Sequence, residues 1–285
     1  MTMRPNKLHL SIFIVVTLLS GWLGVGVDSL LKDRAQEESL GMLIWLVLPL
    51  FTAIILRTIA RDWKGFGLAP NFKGNAKWYL TAVFIYPCVT LIMIAVASML
   101  GCINWPTFQA DTFLSLAVTS MIINLFKNIF EEFSWRGYLT PSLLSLKLND
   151  WLVYLISGLV WSLWHAAYYL VFLPDSYFET ISRIGMVLIG CVLMTCWTMM
   201  FVEMYRLTKS VWPCLLMHAV EDAVPTVLVA TGGFVTFTKG SDAWLNPIHG
   251  IAATVLFLAA GFVLRTIRIK KEHADALKSP VHAST

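Results

Sequence analysis

Residues 128–139 read NIFEEFSWRGYL, and together with Lys127 just before them they break an apolar run with four charges in close succession, the others being Glu131, Glu132 and Arg136. Two later apolar runs carry His165, and His218 with Glu221 and Asp222. Carboxylates and imidazoles are the side chains that move protons near neutral pH. A set of histidines and carboxylates can also hold zinc with three protein ligands and an open position. Charge at the centre of a bilayer costs roughly 2.5–3.5 kcal/mol on insertion scales, so such residues pair, line water or face a bundle interior. A lone pair would serve as glue between helices. Two glutamates, two histidines and an aspartate on three separate runs are instead expected to form a site.

Helical phase divides these residues between jobs. Glu132 and Arg136 are i,i+4 neighbours and form a natural pair on one face. Glu131 points about 100° away, and its own i−4 neighbour is Lys127. The expectation is that Glu132 and Arg136 shape the structure and that Glu131 faces a cavity. His218 and Asp222 are also i,i+4 and share a face. Glu131 lies 16 residues before Lys147, and His165 lies 15 residues after Asp150. At about 1.5 Å per residue both sit roughly 22–24 Å along the helix from the same end, with His218 about 13 Å from it. All three can then share one cavity open to that side.

The elements that must hold these residues are membrane helices. Of 285 residues 58% are hydrophobic and 13% charged, against about 25% charged in soluble domains. That composition excludes an ordinary soluble fold. A spanning helix needs about 20 apolar residues. Eight candidates lie near 9–31, 40–60, 78–100, 113–139, 150–173, 184–205, 211–233 and 248–265. Polar and Gly/Pro-rich connectors separate them, and Trp63, Trp78, Trp105, Trp151, Trp212 and Trp244 fall near span ends as an interfacial belt would. The basic, apolar N-terminus reads as a retained first span rather than a cleaved leader. Asp28, Arg57, Asp150, Glu203 and Arg265 read as charges at span ends, and the last 20 residues as a short mobile tail.

Fifteen of the 21 Lys and Arg fall on one side of these spans, against Lys32, Arg34, Arg183 and Lys239 on the other. That bias places both termini in the cytosol. The expected fold is therefore all-α and polytopic, with about eight transmembrane helices, and lipid is its solvent. The five cysteines form no C-x-x-C pair and are expected to pack as small hydrophobes. No nucleic-acid partner is expected.

The charged residues also spell a pattern. EEFSWRG fits E-E-x-x-x-R-G, WSLWH (161–165) fits an aromatic-x-x-x-His motif, and HAVED (218–222) fits His-x-x-x-Asn/Asp after KSVWPCLLMH. Over about residues 113–233 the chain resembles the CPBP family, the CAAX proteases and bacteriocin-processing enzymes. The resemblance implies a division into N-terminal helices one to three (1–110), a catalytic core of helices four to seven (111–233), and a last helix with a basic cytosolic tail (234–285). It implies an intramembrane endopeptidase facing the cytosol, most naturally in a bacterial plasma membrane. Its substrate would be a peptide or protein, such as a prenylated C-terminus or a leader peptide.

By the same resemblance Glu131 and His165 would activate a water, His218 and Asp222 would stabilise the oxyanion, and Glu132 and Arg136 would shape the site. Trp161 stands where phenylalanine is usual, a change expected to be harmless. Asp222 stands where proven CAAX proteases tend to have asparagine. Three roles are open to it: protonated donor, a hydrogen bond orienting His218, or metal ligand. No cofactor is preferred, because H-E-x-x-H is absent and Arg136 adds positive charge. A zinc-dependent version would use Glu131, His165 and His218. Two rivals remain: a proton-coupled transporter, which would show inverted repeats that the sequence lacks, and a non-enzymatic immunity or scaffold protein.

Overall fold

The computed structural model describes residues 4, 6–32, 35–36, 38–106, 108–178 and 181–278. Arg34 and the last seven residues of the expected tail lie outside them. Polar caps start several of the helices by accepting backbone N–H groups that have no partner inside the helix. Asn6 opens α1 (Lys7–Leu30) by accepting from His9, and Ser39 opens α2 (Leu40–Ala60) by accepting from Met42. The next helix, α3 (Ala76–Met99), leads to β1 (Ile103–Asn104). Then α4 (Ala110–Ser134) runs through a π-turn, Trp135–Leu139, into α5 (Thr140–Ser145). Asn149 caps α6 (Asp150–Trp164), which is followed by a second π-turn, Tyr168–Phe172. Ser182 caps α7 (Arg183–Thr208). A third π-turn, Val227–Thr231, follows α8 (Trp212–Ala223). The last described elements are β2 (Thr236–Phe237), α9 (Asp242–Leu245) and α10 (Ile251–Lys278). The two strands pair antiparallel, Ile103 opposite Phe237.

Among the described residues the fold is all-α apart from that short pair, with eight stretches long and apolar enough to cross a membrane. Two boundaries differ from expectation by more than a few residues. The fourth span reaches Ser145 instead of 139, because the π-turn carries the helix past Arg136. The last helix reaches Lys278, so residues 266–278 are ordered helix rather than tail.

Charge explains that extension. Arg268, only 4% exposed, binds Glu203 on α7 and reaches Asp150 Oδ2 on α6 at 2.6 Å. It also binds Glu272 one turn on at 2.7 Å. Arg206 and Arg265 join at Asp150, and the Tyr154 hydroxyl donates to Glu203. Several residues read as end charges are therefore buried and partnered. Asp28 is another: its Oδ1 accepts the Gly41 N–H at 2.7 Å and caps α2. There α1 and α2 touch backbone to backbone, since a Cβ on Gly24 would lie 2.2 Å from the Gly41 carbonyl oxygen.

Arg57 is fully buried and ties the segment after α2 to the fourth span. Its Nη1 donates to the carbonyls of Asp62 and Lys64, at 3.0 and 2.8 Å, and its Nη2 to the carbonyl of Gly137 in the first π-turn, at 2.6 Å. Gly65 and Gly67 take left-handed φ of 72° and 73°, which glycine adopts without strain. They bring Phe66 onto Phe133, and Leu68 under the Trp212 indole N–H. This loop lines a cavity of about 600 Å³ with Pro141, Leu144, Tyr205 and Lys209. No motif residue lines that cavity. Of the expected aromatic belt, Trp63, Trp105, Trp151 and Trp244 are exposed, whereas Trp78 is packed inside.

Candidate active site

Three spans bring their motifs together around one tryptophan. Trp161, on α6, is 2% exposed. Its indole N–H donates to Glu131 Oε2 at 3.1 Å. The rings of His165 and His218 lie 6.3 and 5.5 Å from its ring, and the Arg136 guanidinium sits over it at 4.6 Å. By sequence, tryptophan in place of phenylalanine at 161 is expected to be harmless. The structure adds a contact that phenylalanine lacks, since phenylalanine has no N–H to give Glu131.

The two glutamates divide as helical phase requires. Glu132 Oε1 accepts from Arg136 Nη1 at 3.0 Å and meets His218 Nδ1 at 2.9 Å. Arg136 also lies over Phe201, 4.2 Å from the ring centre. All of this is sealed from solvent: Glu132 is 0% and Arg136 1% exposed. Glu131 instead has Lys127 at 3.9 Å and the Trp161 indole.

The two histidines are held in different ways. His165 ends α6, and its Nδ1 lies 2.9 Å from the carbonyl oxygen of Trp161. A carbonyl only accepts, so Nδ1 is the donor, and in the neutral ring Nε2 is left as the acceptor. Tyr169 stacks on this ring, with Trp45 and Trp164 edge-on. His218 Nδ1 is held by a carboxylate, that of Glu132, and its Nε2 is left for other work.

Asp222 does not orient His218 through any hydrogen bond among the described residues. Its partners lie on α4: Lys127, and Asn128 Nδ2, which donates to Oδ2 at 2.9 Å. Asn128 joins this cluster although no motif marked it, and the aromatic motif marked Trp161 for its ring but not for its N–H. Only their polar hydrogens in an apolar run could have drawn attention to them.

Spacing suited to a metal occurs at His218, Glu221 and Asp222, where one ligand atom from each lies within 4.8 Å of the others. Glu131 and His165 are not in that cluster, so the ligand set suggested by the sequence is not the one the geometry groups. One histidine and two carboxylates suit zinc in number and type. In this chain, however, the Lys127 ammonium already sits 3.4 Å from Asp222 Oδ2, and Glu221 accepts from Thr226 at 2.9 Å.

Residues 113–224, a stretch that includes every motif, match the family model described as Type II CAAX prenyl endopeptidase Rce1-like. Over that part, which is less than half of the chain, the sequence is similar to the Rce1-like CAAX proteases. No curated protein matches the chain.

Proposed function

We propose that this protein is an intramembrane endopeptidase that hydrolyses a peptide bond near the cytosolic side of its membrane. The observation that carries the reading is the convergence on Trp161 of one glutamate and two differently held histidines. Glu131 takes a proton from water, with His165 Nε2 accepting a hydrogen bond from the same water. The water oxygen bonds to the carbonyl carbon, and His218 donates from Nε2 to the oxyanion, its ring charge matched by Glu132. Glu131 then passes its proton to the departing amine as the C–N bond breaks. Glu132 and Arg136 keep His218 in place, and Asp222 stands beside the oxyanion position.

The proposed catalytic core is residues 111–233, between N-terminal helices (1–110) and the last helix with its basic end (234–285). In its support, all six motif residues lie between 131 and 222. The proposed substrate is a membrane-associated peptide or protein, such as a prenylated C-terminus or a leader peptide. The proposed orientation has both termini in the cytosol of a bacterial plasma membrane, supported by the Lys and Arg bias. A reporter active only in the cytosol should work when fused at either end; activity at one end alone would overturn that topology.

The proposed mechanism needs no metal, because the Lys127 ammonium already supplies positive charge beside Asp222. Purified protein should carry less than stoichiometric zinc and keep its cleavage activity after chelation. Loss on chelation and recovery on adding zinc would favour the cluster of His218, Glu221 and Asp222 as a catalytic metal site.

A further inference from the structure

Lys127 handles neither the water nor the oxyanion in the mechanism above, yet it sits among the groups that do. Its Nζ lies 3.4 Å from each carboxylate oxygen of Asp222, and 3.9 Å from Glu131 Oε1. Asn128, the next residue on α4, donates to the same aspartate at 2.9 Å. One turn and more earlier, the Ser120 hydroxyl donates to the backbone carbonyl of Asp222 at 3.1 Å, and Asn124 donates to Ser120 at 3.0 Å. Ser120, Asn124, Lys127, Asn128 and Glu131 thus form one polar stripe along α4, and Asp222 on α8 is bound to it. The Lys127 side chain is 32% exposed and Asp222 14%, whereas Glu131 is 2%. The accessible edge of the cluster is therefore this ion pair.

An ionised aspartate next to a developing oxyanion should repel it, whereas an asparagine in its place would not. In this chain a lysine accompanies the aspartate. Together, Lys127 and Asp222 carry the net charge that a neutral side chain at 127 and an asparagine at 222 would carry.

We propose that Lys127 is the built-in counter-cation of the site. As a positioning residue it neutralises Asp222, so that an aspartate can stand beside the oxyanion. It also bridges Asp222 to Glu131, which fixes the spacing between α8 and α4. This inference rests on the peptidase reading for its catalytic part, and on geometry alone for the pairing.

The test is a double-mutant cycle on the full chain: wild type, Lys127→Met, Asp222→Asn and the double variant, with Glu131→Gln as the inactive reference. Each is assayed on an internally quenched farnesylated CaaX peptide and by thermal unfolding in detergent. If wild type cleaves faster than Glu131→Gln, kcat decides. Lys127→Met should lower kcat by about 10- to 100-fold with KM changed little, since it leaves Asp222 unmatched. The double variant should recover most of that loss, which a merely structural lysine would not allow. A double variant as slow as Lys127→Met, or slower, overturns the proposal. If wild type does not exceed Glu131→Gln, the peptidase reading fails for this peptide and the unfolding midpoints decide instead. A double variant less destabilised than the sum of the singles supports the pairing, and additive losses overturn it.

Discussion

Glu131 and Glu132 are neighbours in sequence with different partners, and the 100° step of a helix is the reason. That much was legible. The i,i+4 rule gave Glu132–Arg136 and Lys127–Glu131, and the structure places these pairs at 3.0 and 3.9 Å. The contacts that complete the site were not legible, because they join residues far apart in sequence. Trp161 reaches Glu131 across 30 positions, and Lys127 reaches Asp222 across 95. Nothing in local spacing reports the rotation of one helix against another. The Trp161 contact gives a residue-scale prediction. Trp161→Phe keeps the aromatic ring under Arg136 but removes the hydrogen bond to Glu131, whose loss from a carboxylate costs about 1.5–3 kcal/mol. Cleavage should fall by roughly 10- to 100-fold, with the folded state retained on gel filtration. Wild-type rates in the variant would mean that the indole N–H has no part in holding Glu131.

At the scale of elements, the eight spans could be read from apolar length, and most ends fell within a few residues of the structure. The π-turns could not be read. They lie at Trp135–Leu139, Tyr168–Phe172 and Val227–Thr231, each within or just after a motif. Such turns shift helical phase and cluster at functional sites, but they have no composition signal. The end of α10 was misread for a different reason. A run of charges near a terminus resembles a solvated tail, and only the buried partners Glu203 and Asp150 reveal that it is packed. Removing one partner from a buried ion pair costs about 3–5 kcal/mol, because the remaining charge loses its match. Arg268→Met should therefore lower the unfolding midpoint clearly and expose residues 266–278 to protease. An unchanged midpoint with the segment still protected would show that apolar packing alone holds the end of α10.

At the scale of the whole molecule, eight helices place an ionisable cluster inside a protein whose outer face is apolar. Leu114, Val118, Ile122 and Phe126 on α4 are all exposed, as lipid-facing side chains would be. Burying Glu131, Glu132, His165 and His218 in such a body is costly, and a protein that only needed to stand in a membrane would gain nothing from it. On the proposed catalytic reading that burial is useful, because it holds in place a carboxylate and two imidazoles that would act on one water and one peptide bond. Terminal-peptide proteomics of membranes carrying wild type or Glu131→Gln at equal abundance tests this most directly. The account predicts new peptide ends in the wild-type membranes that are lost in the variant, with the variant folded and inserted normally. Identical sets of ends in the two membranes would contradict it.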